Sequence, residues 1–441
     1  MDGLPADNPI WNMSILKDLD DLVQANIITE DVANDIKGYY QTKSQSPSTN
    51  RLFVVFGILG AILVGLGVIL IIAHNWDELS RFTKTCFAFL PLVLGQILCG
   101  YTLLKKGEST AWRESTSAFL FFAIGASIAL VSQIYHIPGD LSSFLLTWML
   151  IALPLIYIMR SSVTSLFVLI GITYYACEAS YWSFPYTDSY MYWLLLFGIF
   201  PYYYLLYKKS PHSNFMVLHN WIIPLSVTIV LGTLADKAEE LMFVSYFSLF
   251  GVFYLIGELT FFDNQKTRNS GYRIIGSLGT VILLMALSFE GFWEDLRRSK
   301  LFVQETLTSQ EFLVAIVLSG LAGALLYINL HNKRLANIKP LAPIFILFSV
   351  AFLVGLFSTV APILVNLYVF VLGILTIRQG AMQNHLGILN FGLIIITVLI
   401  ACRFFDTDLS FVARGVLFVS VGIGFFLTNY WMLKKRKTYE K

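Results

Sequence analysis

The chain has 441 residues, 56% of them hydrophobic and 13% charged, with a mean hydropathy of +0.69. Ordinary soluble domains carry about 25% charged residues, so water is excluded as the main solvent of this chain. Its formal net charge of +2 comes from 30 basic and 28 acidic residues scattered along its length, which excludes the basic stripe of a nucleic-acid binder.

The first fifty residues are polar and partly acidic, so no cleavable signal peptide is expected and the first span must act as the targeting signal. Ile15, Leu16, Leu19, Leu22 and Val23 recur at helical spacing, then comes the turn-like Asn26-Ile27-Ile28, then a second pattern through Val32 and Ile36. This predicts a short helical hairpin. Thr29 is placed to cap its second helix, and Glu30 and Asp31 fall in the first turn, where the helix dipole favours negative charge. A hairpin this small cannot build a stable core alone, so it is expected to pack on another copy, on a partner protein or on the membrane domain. Residues 43–50 form a polar linker.

From Arg51 onward the windows apolar enough to cross a bilayer are 52–73, 84–104, 115–135, 141–159, 163–181, 190–207, 215–234, 241–262, 273–291, 311–330, 340–358, 360–377, 386–404 and 411–433. The expected fold is therefore all-α: a polytopic transmembrane bundle of about fourteen spans over residues 51–434, behind a cytoplasmic hairpin and linker (1–50) and ahead of a basic tail (435–441). The windows 340–358 and 360–377 are nearly contiguous and fit a re-entrant hairpin as well as two spans. With the N-terminus cytoplasmic, Lys105-Lys106, Arg113, Arg160, Lys208-Lys209, Lys266, Arg268, Arg273, Lys333-Arg334, Lys339, Arg378 and the basic tail fall inside. Fewer basic residues, among them Arg81, Lys84, Lys237 and Arg297, fall outside, so both termini are expected in the cytoplasm.

Polar residues at membrane depth are costly, which makes them functional candidates. Two stretches at the expected outer span ends are rich in them, Ala73-His74-Asn75-Trp76-Asp77-Glu78 and Ser132-Gln133-Ile134-Tyr135-His136-Ile137-Pro138-Gly139-Asp140. His74 and Asp77 share a helix face if the helix continues, and Pro138-Gly139 turns the chain so that His136 and Asp140 stand near the interface. His74, Asn75, Asp77, Gln133, Tyr135, His136 and Asp140 thus form a candidate polar site for a cation, a proton relay or acid and base chemistry on a lipid headgroup. The plain alternative is an interfacial belt, where such residues are ordinary.

Glu178, Glu258 and Glu290 lie near span ends, where snorkelling or interhelical hydrogen bonding accounts for them. Asn366 and Asn390 read as polar glue within apolar spans, and Arg403, Asp406 and Arg414 as a charge network closing two helix ends. The segment Trp293-Glu294-Asp295-Leu296-Arg297-Arg298 faintly echoes Trp76-Asp77-Glu78-Leu79-Ser80-Arg81, and His219-Asn220-Trp221 echoes His74-Asn75-Trp76 from the other side of the membrane. Cys86, Cys99, Cys177 and Cys402 lie in apolar stretches without metal-ligand spacing and read as core residues; no metal site is expected, and no cofactor is legible. Phosphate-binding, nucleophile-elbow, HExxH and dinucleotide motifs are all missing from the sequence.

The stretches LDDLVQANIITEDVANDI (19–36), GILGAILVGLGVILIIAHNWDEL (57–79) and SQIYHIPGDL (132–141) resemble the bacterial membrane-protein family termed domain of unknown function 2157. The resemblance is strong to about residue 160 and loose beyond. It implies an N-terminal helical hairpin, many spans and a bacterial inner-membrane location, and it brings no reaction or site residues. Three functions compete: a secondary transporter or permease-like protein, a non-catalytic scaffold or sensor that binds a partner through its hairpin, and an enzyme acting on a lipid-linked substrate.

Overall fold

Within a bilayer every backbone N–H and C=O must find its partner inside the chain, and a continuous apolar run does so by coiling into a helix. The structure, a computed structural model, describes residues 19, 22–23, 25, 27–44, 76–182, 187, 189–259, 269–298, 304–332, 339–404, 410–412, 415–416, 418–420, 422–424 and 426. Among the described residues the regular elements are all helical. The chain divides into two compact units, residues 1–84 and 85–441.

In the N-terminal unit, helix α1 (Glu30–Ser44) starts where the sequence predicts, with Glu30 and Asp31 in its first turn. A turn precedes it, closed by the Ile27 N–H donating to Leu22 O at 3.0 Å, and Leu19 and Ala33 are buried. Most of the residues expected to form the first helix of a hairpin, and the whole window 52–73, lie outside the described residues. A single 3-10 turn, Trp76–Glu78, lies near the end of the unit, and the Lys84 ammonium stands 5.7 Å from the centre of the Trp76 ring.

The second unit begins within α2 (Arg81–Lys105) and continues through α3 (Thr110–Tyr135), α4 (Leu141–Met159), α5 (Ser162–Cys177) and α6 (Met191–Lys209). Then follow α7 (Asn214–Leu231), α8 (Leu241–Ile256), α9 (Gly271–Ala286), α10 (Gly291–Arg298) and α11 (Gln304–Leu307). The last four are α12 (Gln310–Asn332), α13 (Ile344–Gly355), α14 (Ala361–Met382) and α15 (Leu386–Phe404). Helices α3, α4, α5 and α7 pack in sequence, α8 sits among α9, α12 and α13, and α14 pairs with α15.

Lipid tails are as apolar as leucine, so packing inside the bilayer rests on close approach and hydrogen bonds rather than on escape from water. Phe247 of α8 stacks on Phe348 of α13 with ring centres 3.7 Å apart, and both are buried. At the start of α9, a Cβ on Gly271 would stand 2.3 Å from the Asn220 carbonyl oxygen of α7, so only glycine permits this crossing.

Eight helices among the described residues are long and apolar enough to cross a membrane, nine if the bent pair α9 and α10 is one span. The expected count of about fourteen is not reached there. Window 52–73 and most of 411–433 lie outside the described residues. Helices α8 and α13 are short apolar rods. At 1.5 Å per residue they run about 24 and about 18 Å, against a hydrocarbon core of about 30 Å. Of the nearly contiguous windows, 360–377 becomes the full-length α14 and 340–358 the short, buried α13. The 79° bend between α9 and α10 turns a helix with four charged residues away from the apolar rod before it. Composition therefore favours α10 as an interfacial helix.

The two echoing segments differ in setting. Trp293 is fully buried and donates its indole N–H to Leu287 O at 2.8 Å, whereas Trp76 is partly exposed in a 3-10 turn. Of the cysteines, Cys99 and Cys177 are core residues as expected, while Cys86 is exposed, because α2 turns that face outward from its own unit.

Candidate functional site

Helix α3 ends where the chain enters a left-handed residue. His136 has φ of 53°, its N–H donates to Ser132 O, and the Ile137 N–H donates to the same oxygen at 3.0 Å. This six-to-one closure satisfies a carbonyl that the helix end would leave open. The Ser132 hydroxyl returns a bond to Ile137 O at 3.0 Å, and the Tyr135 hydroxyl lies 3.2 Å from Thr85 Oγ1 on α2. Four residues after the cap, Asp140 starts α4 as its N-cap. Its Oδ1 accepts from the Ser143 N–H at 3.3 Å and its Oδ2 from the Ser142 hydroxyl at 2.5 Å. The Ser142 bond first, then Ser143, lower the pKa of this exposed carboxyl to about 2. It is an anion throughout the neutral range.

Behind this loop a cavity of about 990 Å³ opens among α2, α3 and α4. Its lining follows α4 from Leu141 to Ile158, about 26 Å at helical rise, and is apolar along most of that length. Polar groups gather toward one end: Ser132, Asp140, Ser143 and Thr147, with Gln96 further along on α2. Most of their hydroxyls are already committed locally, as in Thr147 to Ser143 O at 2.8 Å. Asp140 is the charged residue of the lining. An apolar trough with a polar end suits an amphiphile, and the volume lies at the upper end of ordinary ligand pockets.

Of the polar residues singled out from the sequence, the structure places Asp140 in the lining, Tyr135 in a contact between α3 and α2, and Gln133 and His136 exposed outside the lining. His74 and Asn75 lie outside the described residues, and Asp77 is an exposed residue of the N-terminal unit. In the C-terminal network, Asp406 and Arg414 lie outside the described residues. Arg403 donates to the Ser288 hydroxyl at 3.1 Å and lies 4.4 Å from the centre of the Phe289 ring. Asn366 donates to Ser288 O at 2.9 Å from α14, so the turn between α9 and α10 is tied to two later helices. Asn366 thus acts as the polar glue expected of it, while Asn390 is exposed.

A second set of residues, of which the sequence marked only His219, and that as an echo of His74, surrounds the start of α5. Glu114 of α3 accepts from the Ser162 and Val163 N–H groups at 3.0 and 2.9 Å and from the Ser161 hydroxyl at 2.5 Å, capping α5 from a neighbouring helix. Beside it Ser117 and Thr164 are 2.6 Å apart, and Ser162 and the Tyr202 hydroxyl 2.8 Å. One helical turn further into α5, Ser165 lies 2.9 Å from His219 Nε2, while His219 Nδ1 lies 2.7 Å from Phe215 O. A serine, an imidazole and an orienting acceptor are the parts of a nucleophilic dyad. Ser165 and His219 are nevertheless fully buried, and neither lines the α2–α4 cavity, so no substrate carbonyl reaches them in this arrangement. They hold α5 to α7. Beside the crossing of α9 on α7 at Gly271 and Asn220, Glu258 pairs with Arg273 at 3.1 Å and with Lys339, joining α8, α9 and the segment before α13. The interhelical role read for Glu258 is what the structure shows.

Elements of this length and apolarity, packed without strands among the described residues, make this a multi-pass helical membrane protein. Residues 20–165 match the family described as predicted membrane protein (DUF2157). The matched stretch contains the whole lining of the α2–α4 cavity. No curated protein and no solved structure matches the chain.

Proposed function

We propose that the protein is a permease-like membrane carrier that takes an amphiphilic molecule into the trough formed by α2, α3 and α4. The observation that carries this reading is the cavity itself: about 990 Å³, running about 26 Å along α4, apolar over most of that length and polar toward one end. A chain would lie along Ile151 and Ile158 while its head meets the loop at Asp140. The low pKa of Asp140 supports binding over acid and base chemistry, because a general base works best with a pKa near the operating pH.

Basic residues support an orientation. Lys105-Lys106, Arg160 and Lys208-Lys209 lie at helix ends opposite the Asp140 loop, and by the positive-inside rule this supports a reading with that loop on the outer face of a bacterial inner membrane and both termini in the cytoplasm. The test is flux of fluorescent single-chain amphiphiles in proteoliposomes, with water-soluble solutes in parallel. Ile151→Trp fills the trough and is expected to abolish amphiphile movement while the protein stays folded and inserted. Equal flux in empty, wild-type and Ile151→Trp liposomes would overturn the proposal.

A further inference from the structure

We infer that the molecule held in the α2–α4 trough carries a cationic headgroup, an ammonium or guanidinium on a hydrocarbon chain, with Asp140 as its counter-ion; this rests on the trough being an amphiphile site. The lining offers a carboxylate and no lysine, arginine or histidine. An anionic head would have to settle beside Asp140 with only hydroxyl donors to hold it, and a neutral head would leave the charge unused.

The carboxylate is built to receive a donor. Oδ1 and Oδ2 each accept one bond, from the Ser143 N–H and the Ser142 hydroxyl. A carboxylate oxygen has two lone pairs, so a second donor fits on each. Asp140 is exposed, and the Pro138-Gly139 turn before it also belongs to the lining. The same two bonds that cap α4 fix the carboxylate on the rim of the trough, so the charge is preorganised. Its field is not undiminished: the positive end of the α4 dipole takes up part of it, and water reaches the group. The selectivity expected is therefore about fivefold, the scale of one charge pair about 4 Å apart in water-like surroundings.

The apolar lining chooses the rest of the molecule. A compact hydrophilic cation gains nothing from Leu120 and Ile124 of α3 and Ile151 of α4, whereas a hydrocarbon chain matches them. Head and tail preferences thus come from different residues and separate experimentally.

The experiment uses the full chain in lipid nanodiscs and three probes with one saturated chain and one photoreactive group, ending in a primary ammonium, a hydroxyl or a carboxylate. Crosslinks are mapped by mass spectrometry to peptides of α2 and α4. In the wild type the ammonium probe is expected to label about fivefold more than the hydroxyl probe, and the carboxylate probe least. Asp140→Asn keeps a residue that caps as well as aspartate and should bring the ammonium and hydroxyl probes level, with hydroxyl labelling unchanged. Asp140→Ser, another good cap, should do the same, and Ile151→Trp should reduce all three. Equal labelling of the cavity by all three probes, or an ammonium preference that survives both Asp140 substitutions, overturns the headgroup inference and leaves the trough standing. Labelling of neither helix by any probe overturns the amphiphile site and the inference with it.

Discussion

Glu311 joins two distant parts of the membrane unit, and its removal has a size that follows from the geometry. It stands in the first turn of α12, is fully buried, and its Oε1 accepts from the backbone N–H groups of Asp236, Lys237 and Ala238 at 2.6, 2.7 and 3.1 Å. Hydrogen bonds to a charged acceptor contribute about 1.5–3 kcal/mol each, but three donors on one oxygen are not additive. In Glu311→Ala the side chains of Asp236 and Lys237 are exposed, so their amides can regain water, whereas Ala238 is buried and loses its partner outright. The expected loss is about 2–4 kcal/mol, most of it the desolvation cost of that one amide and the cavity left by the side chain. Glu311→Gln keeps an acceptor but not the charge, and neutral bonds are about half as strong, so about 1–2 kcal/mol is expected. Denaturant unfolding of the purified protein in micelles measures both. Hydrogen exchange on the peptide across 234–242 gives a local reading, with the Ala238 amide accelerated at least about tenfold in the alanine variant. Unfolding within about 0.5 kcal/mol of the wild type together with unchanged exchange would refute the account.

Three further outcomes follow from the same structure. His136 and Arg160 end helices in the left-handed region at φ of 53° and 49°, so Arg160→Gly should stabilise by about 0.5–1 kcal/mol and Arg160→Val destabilise by about 1–2 kcal/mol, read from unfolding midpoints. Gly271→Ala drives a Cβ to 2.3 Å from Asn220 O and 2.6 Å from Trp221 Cα, both backbone, and should cost about 1–3 kcal/mol with weaker packing of α9 on α7; a neutral result would show that the crossing is looser than described. The Asp140 pKa is depressed to about 2, so its capping contribution is fully present above its ordinary value near 3.9 and is lost as pH falls through about 2. The ammonium preference of the trough should therefore be flat from about pH 5 to about pH 8, and a titration within that range would refute the assignment of the charge to Asp140.

The contrast between Glu311 and Asp140 shows why some polar groups were legible in the sequence and others were not. Asp140 announces itself locally, because Pro138-Gly139 breaks the helix and an aspartate before an apolar run is a capping signal. Glu114 and Glu311 carry no such signal. Each looks like an ordinary acidic residue near a span end, and its partners lie 47–49 and 73–75 residues away. Arg403 bonds to Ser288, 115 residues distant in the chain, a contact that its sequence neighbours do not announce. Helix glue of this kind is a property of neighbours in space.

The sequence alone determined the solvent and the element type. A chain with so few charges and such long apolar runs must satisfy its backbone internally, and helices follow from that at any packing. It also marked the polar loop at 132–140, because turn and cap chemistry act over a few residues. Tertiary structure decided which apolar windows become long rods and which, like α8 and α13, become short buried ones, since the surrounding helices set the depth each must cover. It alone made a cavity of about 990 Å³, because a void is the space that three separately coded helices fail to fill, and no periodicity records it. The membrane was written in composition, whereas the trough exists only in how α2, α3 and α4 meet.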